Sequence, residues 1–582
     1  MKQKHPKTID LKKERQAALA EGRQKLLSLM PEKALEAIAD HPYPVTLVQS
    51  LAEEDLYLLV HSIGPDDALP VLAHASNEQW EYILDMEVWS RDRLDQRAMT
   101  QWLHRLLKAD PDRFTHWIIR EKSDELEYYL FRNVEVVARE YEQDPAELAE
   151  DFSSEDQTHF IRLRRFSVHS DEEKQHEEAR NRLLTDLMRR LSTFDYAHYV
   201  GLLLGSTAVV PAEAEEALWR LRNVRLAEKG FLPYDEAIGI YQALSVGDLL
   251  KRDRKSKTFS GRPVESYPLK IDPLEPPRGA NRFARALTGL QDQPSLQRLQ
   301  GEFAGLCNQV IVADQRHIRE KEALAQVVKK TSDYISIALE KIESVAPIAD
   351  HYADANLIQT YLLGDLFRVG YGCALAIKWK VDRWHRSSWF MRAGMPLSFW
   401  GEEGFGILGG LLLKRPLFFD NYDTGQLYRE FATLADIQKI EQKLDDIFAL
   451  DDLLALMGLD PNALKTTGHL TYQNLLLTLW ANTYLKLPHK IGGLRPLTLE
   501  EFRPLFAALW QVQVKPRRIR KAMRENFLTW LSHRCALTTY AISERMGTTL
   551  EKLFQEIEYE LGEVDAQNLD QRFIRLFLFQ PV

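Results

Sequence analysis

Apolar and acidic positions recur with a period of twelve residues between residues 51 and 80. Residues 51–56, 63–69 and 75–80 each begin with an apolar and a small residue, pass through acidic groups, and continue into an apolar run. Acidic side chains favour the positive end of a helix, so each stretch predicts a short helix. Because one short helix cannot bury its apolar face alone, we expect these units to stack as a superhelix.

Helix-start signals extend this pattern on both sides of the repeat. Pro31 suits the first turn of a helix that continues to Ala39, and Ser76 with Gln79 three residues later predicts a capping box. Proline or an acid at the first helical positions predicts further starts. These lie at Pro111, Asp144 and Ser153, and a longer helix is expected over about residues 93–108.

The remaining pattern predicts an all-α chain of several domains. We expect a basic arm (1–31), the short-helix repeat domain (32–165), a polar connection (166–182) and a helical extension (183–250). Five prolines among charges then predict a Pro-rich linker (251–282), because such prolines do not fit inside helices. Long apolar-periodic segments predict a larger helical C-terminal domain (283–582), and the best strand candidates are residues 397–400 and 417–419.

Composition narrows the class of protein. The chain has 582 residues, a formal net charge of −10 and three cysteines. The acidic balance argues against nucleic acid as a partner, and the scattered cysteines argue against a disulfide framework.

The N-terminal stretch lacks the apolar core of a secretory signal, and the longest apolar stretch, residues 404–413, is about half of the ~20 residues that cross a bilayer. We therefore expect a cytoplasmic protein without membrane insertion.

Two resemblances follow from particular stretches. The repeat over residues 51–84 resembles the superhelical cytosolic domain of bacterial magnesium transporters and flagellar motor-switch proteins, which implies an interaction or regulatory module. Residues 55–61, 79–85 and 225–231, with Glu236 and Ala237, are similar to an uncharacterised bacterial family known only as a domain of unknown function. This second resemblance covers the whole chain and implies no activity.

Residues 404–409 match the G-x-G-x-x-G dinucleotide fingerprint through Gly404, Gly406 and Gly409. That fingerprint needs a preceding strand inside a βαβ unit, whereas the surrounding pattern is helical. Tight helix packing is the alternative interpretation of these glycines, and we favour it.

A cationic stripe bordered by tryptophans lies just upstream. At about 100° per residue, Trp379, Lys380, Arg383 and Arg386 fall on one side of a helix, where they could hold a phosphate or stack on a base. The alternative is that the tryptophans fill the core while the arginines reach water. We favour this alternative, because large aromatic side chains are usually buried.

The remaining motifs are less specific. A basic run over residues 515–524 is interpreted as a solvated face, and residues 542–550 match the turn of a helix-turn-helix whose second helix is too acidic to face phosphates. Glu173 and His176 have the spacing of a di-iron motif but lie in a polar segment, so we predict neither a metal site nor a cofactor.

The leading hypothesis is a cytosolic interaction or regulatory protein that binds another protein through its helical-repeat surface. No catalytic signature is present, so the sequence does not indicate an enzyme. The alternative is an enzyme or sensor that binds a phosphorylated small molecule or a nucleotide near residues 378–416.

Overall fold

The computed structural model describes residues 19, 21–23, 25–26, 29–140, 151–165, 169–252, 281–290, 292–345, 353–461, 464, 469–488, 493–511 and 517–580. Helices dominate these residues and the strands are short antiparallel pairs, so the predicted all-α class is confirmed. Three predicted features lie wholly or mostly outside the described residues. They are the basic arm (1–31), the helix start at Asp144 and the Pro-rich linker (251–282).

The first part of the chain is a series of helices interrupted by two small antiparallel pairs. The series begins with α1 Pro31–Ala39, α2 Pro44–Gln49, α3 Glu53–Ile63, α4 Leu69–His74 and α5 Asn77–Glu87. It continues with β1 Trp89–Ser90, β2 Arg93–Leu94, α6 Gln96–Ala109, α7 Pro111–Arg120, α8 Ser123–Asn133, β3 Val134–Ala138 and β4 His159–Leu163. There follow α9 Asp171–Phe194, α10 Tyr196–Ala208, α11 Pro211–Glu228, α12 Tyr234–Ala237, a 3-10 turn at Ile238–Tyr241 and α13 Val246–Lys251.

Local capping chemistry sets several of these helix starts. The Ser76 hydroxyl accepts a hydrogen bond from the Gln79 backbone N–H, and the Gln79 side chain accepts one from the Ser76 backbone N–H, so the predicted capping box is confirmed. Proline stands at the first position of α1 and of α7, which confirms the predicted starts at Pro31 and Pro111.

The early helices pack in a regular order. Helix α1 contacts α3, α2 contacts α4, α3 contacts α5, and α4 contacts α6. Each short helix therefore buries its apolar face against its next-but-one neighbour, as helices too short to be stable alone require. The superhelix itself stays a prediction.

Two predicted features of this part are wrong. No helix begins at Ser153, because Asp156 accepts hydrogen bonds from the backbone N–H groups of Thr158 and His159 and turns the chain into β4. The polar connection (166–182) is helical from Asp171 onward, since Ser170 caps α9 and the acids that follow favour the positive end of the helix.

The later part of the chain contains longer helices. They begin with α14 Arg282–Thr288, α15 Gln293–Asp314, α16 Lys321–Val345, α17 Ala353–Thr360, α18 Leu363–Ser387 and α19 Trp389–Arg392. A 3-10 turn at Leu397–Trp400 leads into α20 Gly401–Leu412, β5 Phe418–Phe419, β6 Tyr428–Arg429 and α21 Leu434–Leu456. Beyond these lie α22 Tyr472–Tyr484, α23 Leu499–Leu509, α24 Lys521–Cys535, α25 Thr539–Leu561 and 3-10 turns at Ala566–Asn568 and Gln571–Phe573.

The two strand candidates have different outcomes. Residues 397–400 form a 3-10 turn, so that prediction is wrong, whereas residues 417–419 include β5, which pairs with β6. Apolar content alone does not separate a strand from a buried turn in so short a stretch.

The chain divides into two compact units that are discontinuous in sequence. The first unit contains Met1–Gln242, Arg254–Ser332 and Tyr352–Gly364, and the second contains Ala243–Asp253, Asp333–His351 and Asp365–Val582. This division differs from the predicted domains, whose boundaries stay a prediction.

Helices α21, α22, α24 and α25 pack together in the second unit, and the β5–β6 hairpin packs on α20.

Helices α16 and α18 approach each other very closely at Gly370, where a Cβ atom would lie 1.8 Å from the carbonyl oxygen of Tyr334. In the described part of the chain, every helix is too short or too polar to cross a bilayer.

Candidate functional site

A cavity of about 380 Å³ lies at the first turn of α20 in the second unit. Helices α21, α22 and α25 supply most of the rest of its lining, together with Trp400 of the preceding 3-10 turn and Asn421 between β5 and β6. Trp400 and Tyr472 contribute aromatic walls with ring centroids 6.3 Å apart. Ile407, Ile447 and Leu450 contribute apolar surface. A concave, partly apolar space with a few polar groups is the usual form of a small-molecule site.

One carboxylate of the cavity, that of Glu403, forms ion pairs with two lysines. The Lys443 Nζ lies 2.5 Å from Oε1 of Glu403, and the Lys552 Nζ lies 3.7 Å from Oε2 of the same carboxylate. Burial, the largest single influence, would lower the pKa of Lys443, but its hydrogen bonds to Glu403 and Lys552 and the charges of Glu403 and Asp446 together raise that pKa. Burial and the neighbouring Lys443 charge lower the pKa of Lys552. The two amines are therefore not equivalent, and Lys552 loses its proton more readily.

A second carboxylate lies on the α25 wall. Gln473 donates a hydrogen bond from Nε2 to Oε2 of Glu556 at 2.7 Å. Burial raises the pKa of the Glu556 carboxyl, and Gln473 offsets only part of this effect. Burial also raises the pKa of Tyr472, and the charges of Glu556 and Glu403 add to the shift. An incoming cation would relieve this concentration of negative charge.

The charges of the lining are unbalanced. Four carboxylates border the cavity against two lysines, and the four are Glu402, Glu403, Asp446 and Glu556. A phosphate would meet net repulsion there, whereas an amine would find carboxylate acceptors and aromatic faces. Chemically, the arrangement can bind a cationic or zwitterionic molecule.

The structure places the predicted glycines in two environments. Gly404 lines the cavity, whereas a Cβ at Gly406 would lie 2.3 Å from the Phe419 ring. A Cβ at Gly409 would lie 2.9 Å from the Tyr428 hydroxyl. All three are inside α20, which follows a 3-10 turn, so the strand that a dinucleotide fingerprint requires does not precede them. Close packing of the β5–β6 hairpin accounts for Gly406 and Gly409, and ligand binding by these residues stays a prediction.

The predicted cationic stripe on α18 is helical but does not gather around this cavity. The Lys380 Nζ lies 2.8 Å from Oε1 of Glu441, and Arg383 donates from Nε to the Trp379 carbonyl oxygen at 3.2 Å. Trp379 is 50% exposed and lines a different cavity, and Arg386 is exposed. Ligand binding by this stripe also stays a prediction.

Sequence reasoning missed Glu403, Lys443, Tyr472, Lys552 and Glu556. They come from four helices spread over some 150 residues of sequence, and packing alone brings them together. A polar residue on a helix face carries no sequence signal for the other helices it meets.

The basic run after residue 515 includes the exposed residues Arg518, Arg520 and Lys521, as the predicted solvated face requires, but two of its arginines also form ion pairs with acids of α25. Arg518 lies 2.6 Å and Arg524 3.1 Å from the Glu558 carboxylate, and Arg524 also lies 2.8 Å from Glu551. Two acids of the supposed recognition helix, Glu551 and Glu558, are thus partners of arginines in the basic run. Helix α25 passes through Gly547 without a turn, so no helix-turn-helix forms there.

Among the described residues, no cluster of three or more His, Cys, Asp or Glu side chains could hold a metal ion. Glu173 lies in the first turn of α9, where its carboxylate accepts a hydrogen bond from the His169 backbone N–H. Helix capping therefore accounts for this acid of the Glu173–His176 pair.

The fold and cavity define an all-helical protein of two compact units, the second of which encloses a polar site. Residues 11–580 match the family of unknown function DUF6178, and the chain belongs to that family. Comparisons with curated proteins and with solved structures found no match. The comparisons do not show the resemblance to the magnesium-transporter domain, which stays a prediction.

Proposed function

We propose that the protein binds a small amine-bearing ligand in the cavity at the start of α20. The observation that carries this proposal is the excess of carboxylates over lysines in a lining that also holds Trp400 and Tyr472. Aromatic faces and carboxylates together favour a cation over an anion. The proposal keeps the ligand close to residues 378–416 but exchanges the expected phosphate for an amine.

The size of the cavity limits the ligand. About 380 Å³ lies at the low end of the range for small-molecule sites, which suits an amino acid or a short polyamine. Glu556 is the most suitable acceptor, because its carboxylate is bonded by the neutral Gln473 rather than by a lysine within ion-pair distance.

Isothermal titration calorimetry of the full chain with spermidine, cadaverine and lysine tests the proposal, with pyrophosphate as the anionic comparison. We expect at least one amine to bind and pyrophosphate to bind far more weakly at this site. Glu556→Gln should weaken amine binding by about tenfold or more, since a hydrogen bond to a charged group is lost. Glu525→Gln is the matched control, because Glu525 is an exposed acid of α24 outside the lining. Equal affinities for the two variants would contradict the proposal.

We also propose, as a second function, that the first compact unit, which contains the helical-repeat part of the chain, binds another protein in the cytoplasm. Apolar side chains on α10 and α11 are unusually exposed, with Leu204 at 46%, Leu221 at 50% and Val224 at 61%. Exposed apolar groups on adjacent helices favour a protein partner. The next-but-one packing of α1 to α6 supports a stacked repeat in the same unit.

Photo-crosslinking of the full chain through a probe at position 221 tests the second function, with the exposed position 216 of the same helix as control. We expect a discrete crosslinked partner from position 221 that Val224→Glu removes. The same products from both positions would count against a specific surface.

A further inference from the structure

A second cavity, of about 200 Å³, lies within the first unit. It is bordered by the turn between β1 and β2, by the second half of α11 and by the segment that follows α15. Its charged side chains are Arg91, Arg222 and Arg316, and none of the described residues that line it is Asp or Glu. We call it the cationic cavity. It has the opposite charge to the cavity of the second unit.

Two acids near the cationic cavity, Asp85 and Asp314, are engaged by other cations. Arg225 holds the Asp85 carboxylate with two bonds of 2.7 and 2.8 Å. The Asp314 carboxylate lies 3.0 Å from the Lys330 Nζ, and it lies farther, at 3.8 Å, from the Nε of Arg316. The positive charge of the cavity is therefore only partly neutralised by the protein itself.

Arg222 is held in position by groups that do not neutralise the charge of its guanidinium. Its Nε donates a hydrogen bond to the backbone carbonyl oxygen of Asp85 at 2.7 Å, and its guanidinium lies 5.6 Å from the centre of the Trp89 ring. Burial lowers the pKa of Arg222 to about 10, which the charge of Asp85 offsets only in part. A guanidinium held in this way gains from an anion that takes the place of water.

The walls of the cationic cavity offer planar surfaces. Trp89, Trp219 and Tyr234 line it, and Trp89 is almost completely buried. Aromatic side chains of this kind stack on planar rings, and base stacking on them is a strong term in nucleotide binding.

Two turns meet at the rim, the hairpin turn that contains Arg91 and the left-handed C-cap of α15 at Gln315. Arg91 and Gln315 are non-glycine residues with φ of 63° and 54°, and the Arg91 Nε donates to the Gln315 side chain at 3.3 Å. Both residues line the cavity. The hydrogen bond between Arg91 and Gln315 therefore joins these two turns and fixes the rim.

We propose that the cationic cavity binds the phosphate and part of the ring of a small phosphorylated ligand, of the class of a nucleoside monophosphate, whose remaining atoms lie outside the roughly 200 Å³ of the cavity. The arginines would hold the phosphate through paired hydrogen bonds, and the tryptophans would stack on the ring. This site is independent of the amine site proposed in the second unit, and either one stands if the other fails.

Titration calorimetry of the full chain with adenosine monophosphate, inorganic phosphate and adenosine tests the proposal. We expect adenosine monophosphate to bind more tightly than phosphate and adenosine to bind weakest, with an affinity that falls as salt is raised. Arg91→Ala and Arg316→Ala should each weaken binding by about tenfold or more, because both residues lie on the exposed rim. Trp219→Leu should remove the advantage of adenosine monophosphate over phosphate.

Arg220→Ala is the matched control, since Arg220 is an exposed arginine of the same helix that pairs with Glu216 and does not line the cavity. Arg222→Met adds a stronger test, and its circular dichroism spectrum shows whether it folds. If it does not fold, the affinity of the Arg91→Ala, Arg316→Ala double variant for adenosine monophosphate is measured instead. The proposal is overturned if adenosine monophosphate does not bind, if the rim variants bind like Arg220→Ala, or if phosphate alone binds as tightly as the nucleotide.

Discussion

Glu54 is a carboxylate whose burial has a measurable consequence. It lies in the first turn of α3 and is only 2% exposed, and its Oε1 is 3.9 Å from the Lys229 Nζ. Burial raises its pKa to about 7 from an ordinary value of 4.5. The native protein therefore keeps this proton in a pH range where the unfolded chain has lost it. Stability from this group is fully present below pH 4.5 and falls as pH rises towards 7.

Replacing Glu54 by glutamine should remove this pH dependence. At pH 8 we expect Glu54→Gln to raise the free energy of unfolding by up to about 3 kcal/mol, because the ionised carboxylate no longer has to be buried. At pH 4 the variant and the parent should be nearly equal. Urea unfolding at both pH values measures the difference.

Glu36→Gln is the control for this prediction, since Glu36 is exposed on α1. A gain in stability for Glu54→Gln that is the same at pH 4 and pH 8 would show that the ionisation of Glu54 is not its cause.

At the scale of the element, prediction from sequence succeeds where the signal is local. The starts of α1, α5 and α7 are visible because a proline or a capping side chain lies within one turn of each. Strands β3 and β4 are not visible, because their pairing joins Val134 to Leu163 across a long gap in sequence. The cavity residues of α20, α21, α22 and α25 are hidden for the same reason, since only packing assembles them.

The close approach of α16 and α18 gives a prediction about one glycine. Gly370→Ala would place a Cβ 1.8 Å from the Tyr334 carbonyl oxygen, so one helix has to move. We expect a loss of about 3 kcal/mol or more, at the upper end of overpacking effects. Thermal unfolding followed by circular dichroism measures it.

Gly547→Ala is the matched control for this glycine. Gly547 is exposed in α25, and a Cβ added there would have no neighbouring atom within 4 Å, so alanine should raise stability by about 0.5–1 kcal/mol. Similar effects at the two positions would contradict the proposed close contact.

The glycines of α20 give a third prediction. At Gly406 a Cβ would meet the Phe419 ring, so Gly406→Ala should destabilise the second unit by about 1–3 kcal/mol. The double variant Gly406→Ala with Phe419→Leu should lose less stability than the two single changes added together, because the smaller side chain makes room. Chemical unfolding of the four proteins gives this coupling, and strict additivity would contradict direct packing.

At the scale of the whole molecule, each compact unit contains its own buried thiol. Cys307 belongs to the first unit and Cys535 to the second, and both are buried. Burial raises the pKa of Cys307 to about 12 and that of Cys535 to about 11, so neither reacts at neutral pH unless its surroundings open.

Labelling with iodoacetamide, read by mass spectrometry, should therefore report on each unit separately. We expect adenosine monophosphate to slow the labelling of Cys307 more than that of Cys535, and spermidine to do the opposite, since a ligand stabilises the unit that binds it. Equal slowing of both thiols by either ligand would contradict the assignment of the two sites to separate units.

The interleaved course of the chain also governs how it is made. The first unit takes residues up to Gly364, so a nascent chain cannot finish that unit until the ribosome has passed this point. At roughly 5–20 residues per second, the N-terminal helices wait on the order of ten seconds for their last partners. During that interval their apolar faces are open to water and to other chains. We therefore expect chaperones to bind mainly to this incompletely folded nascent chain.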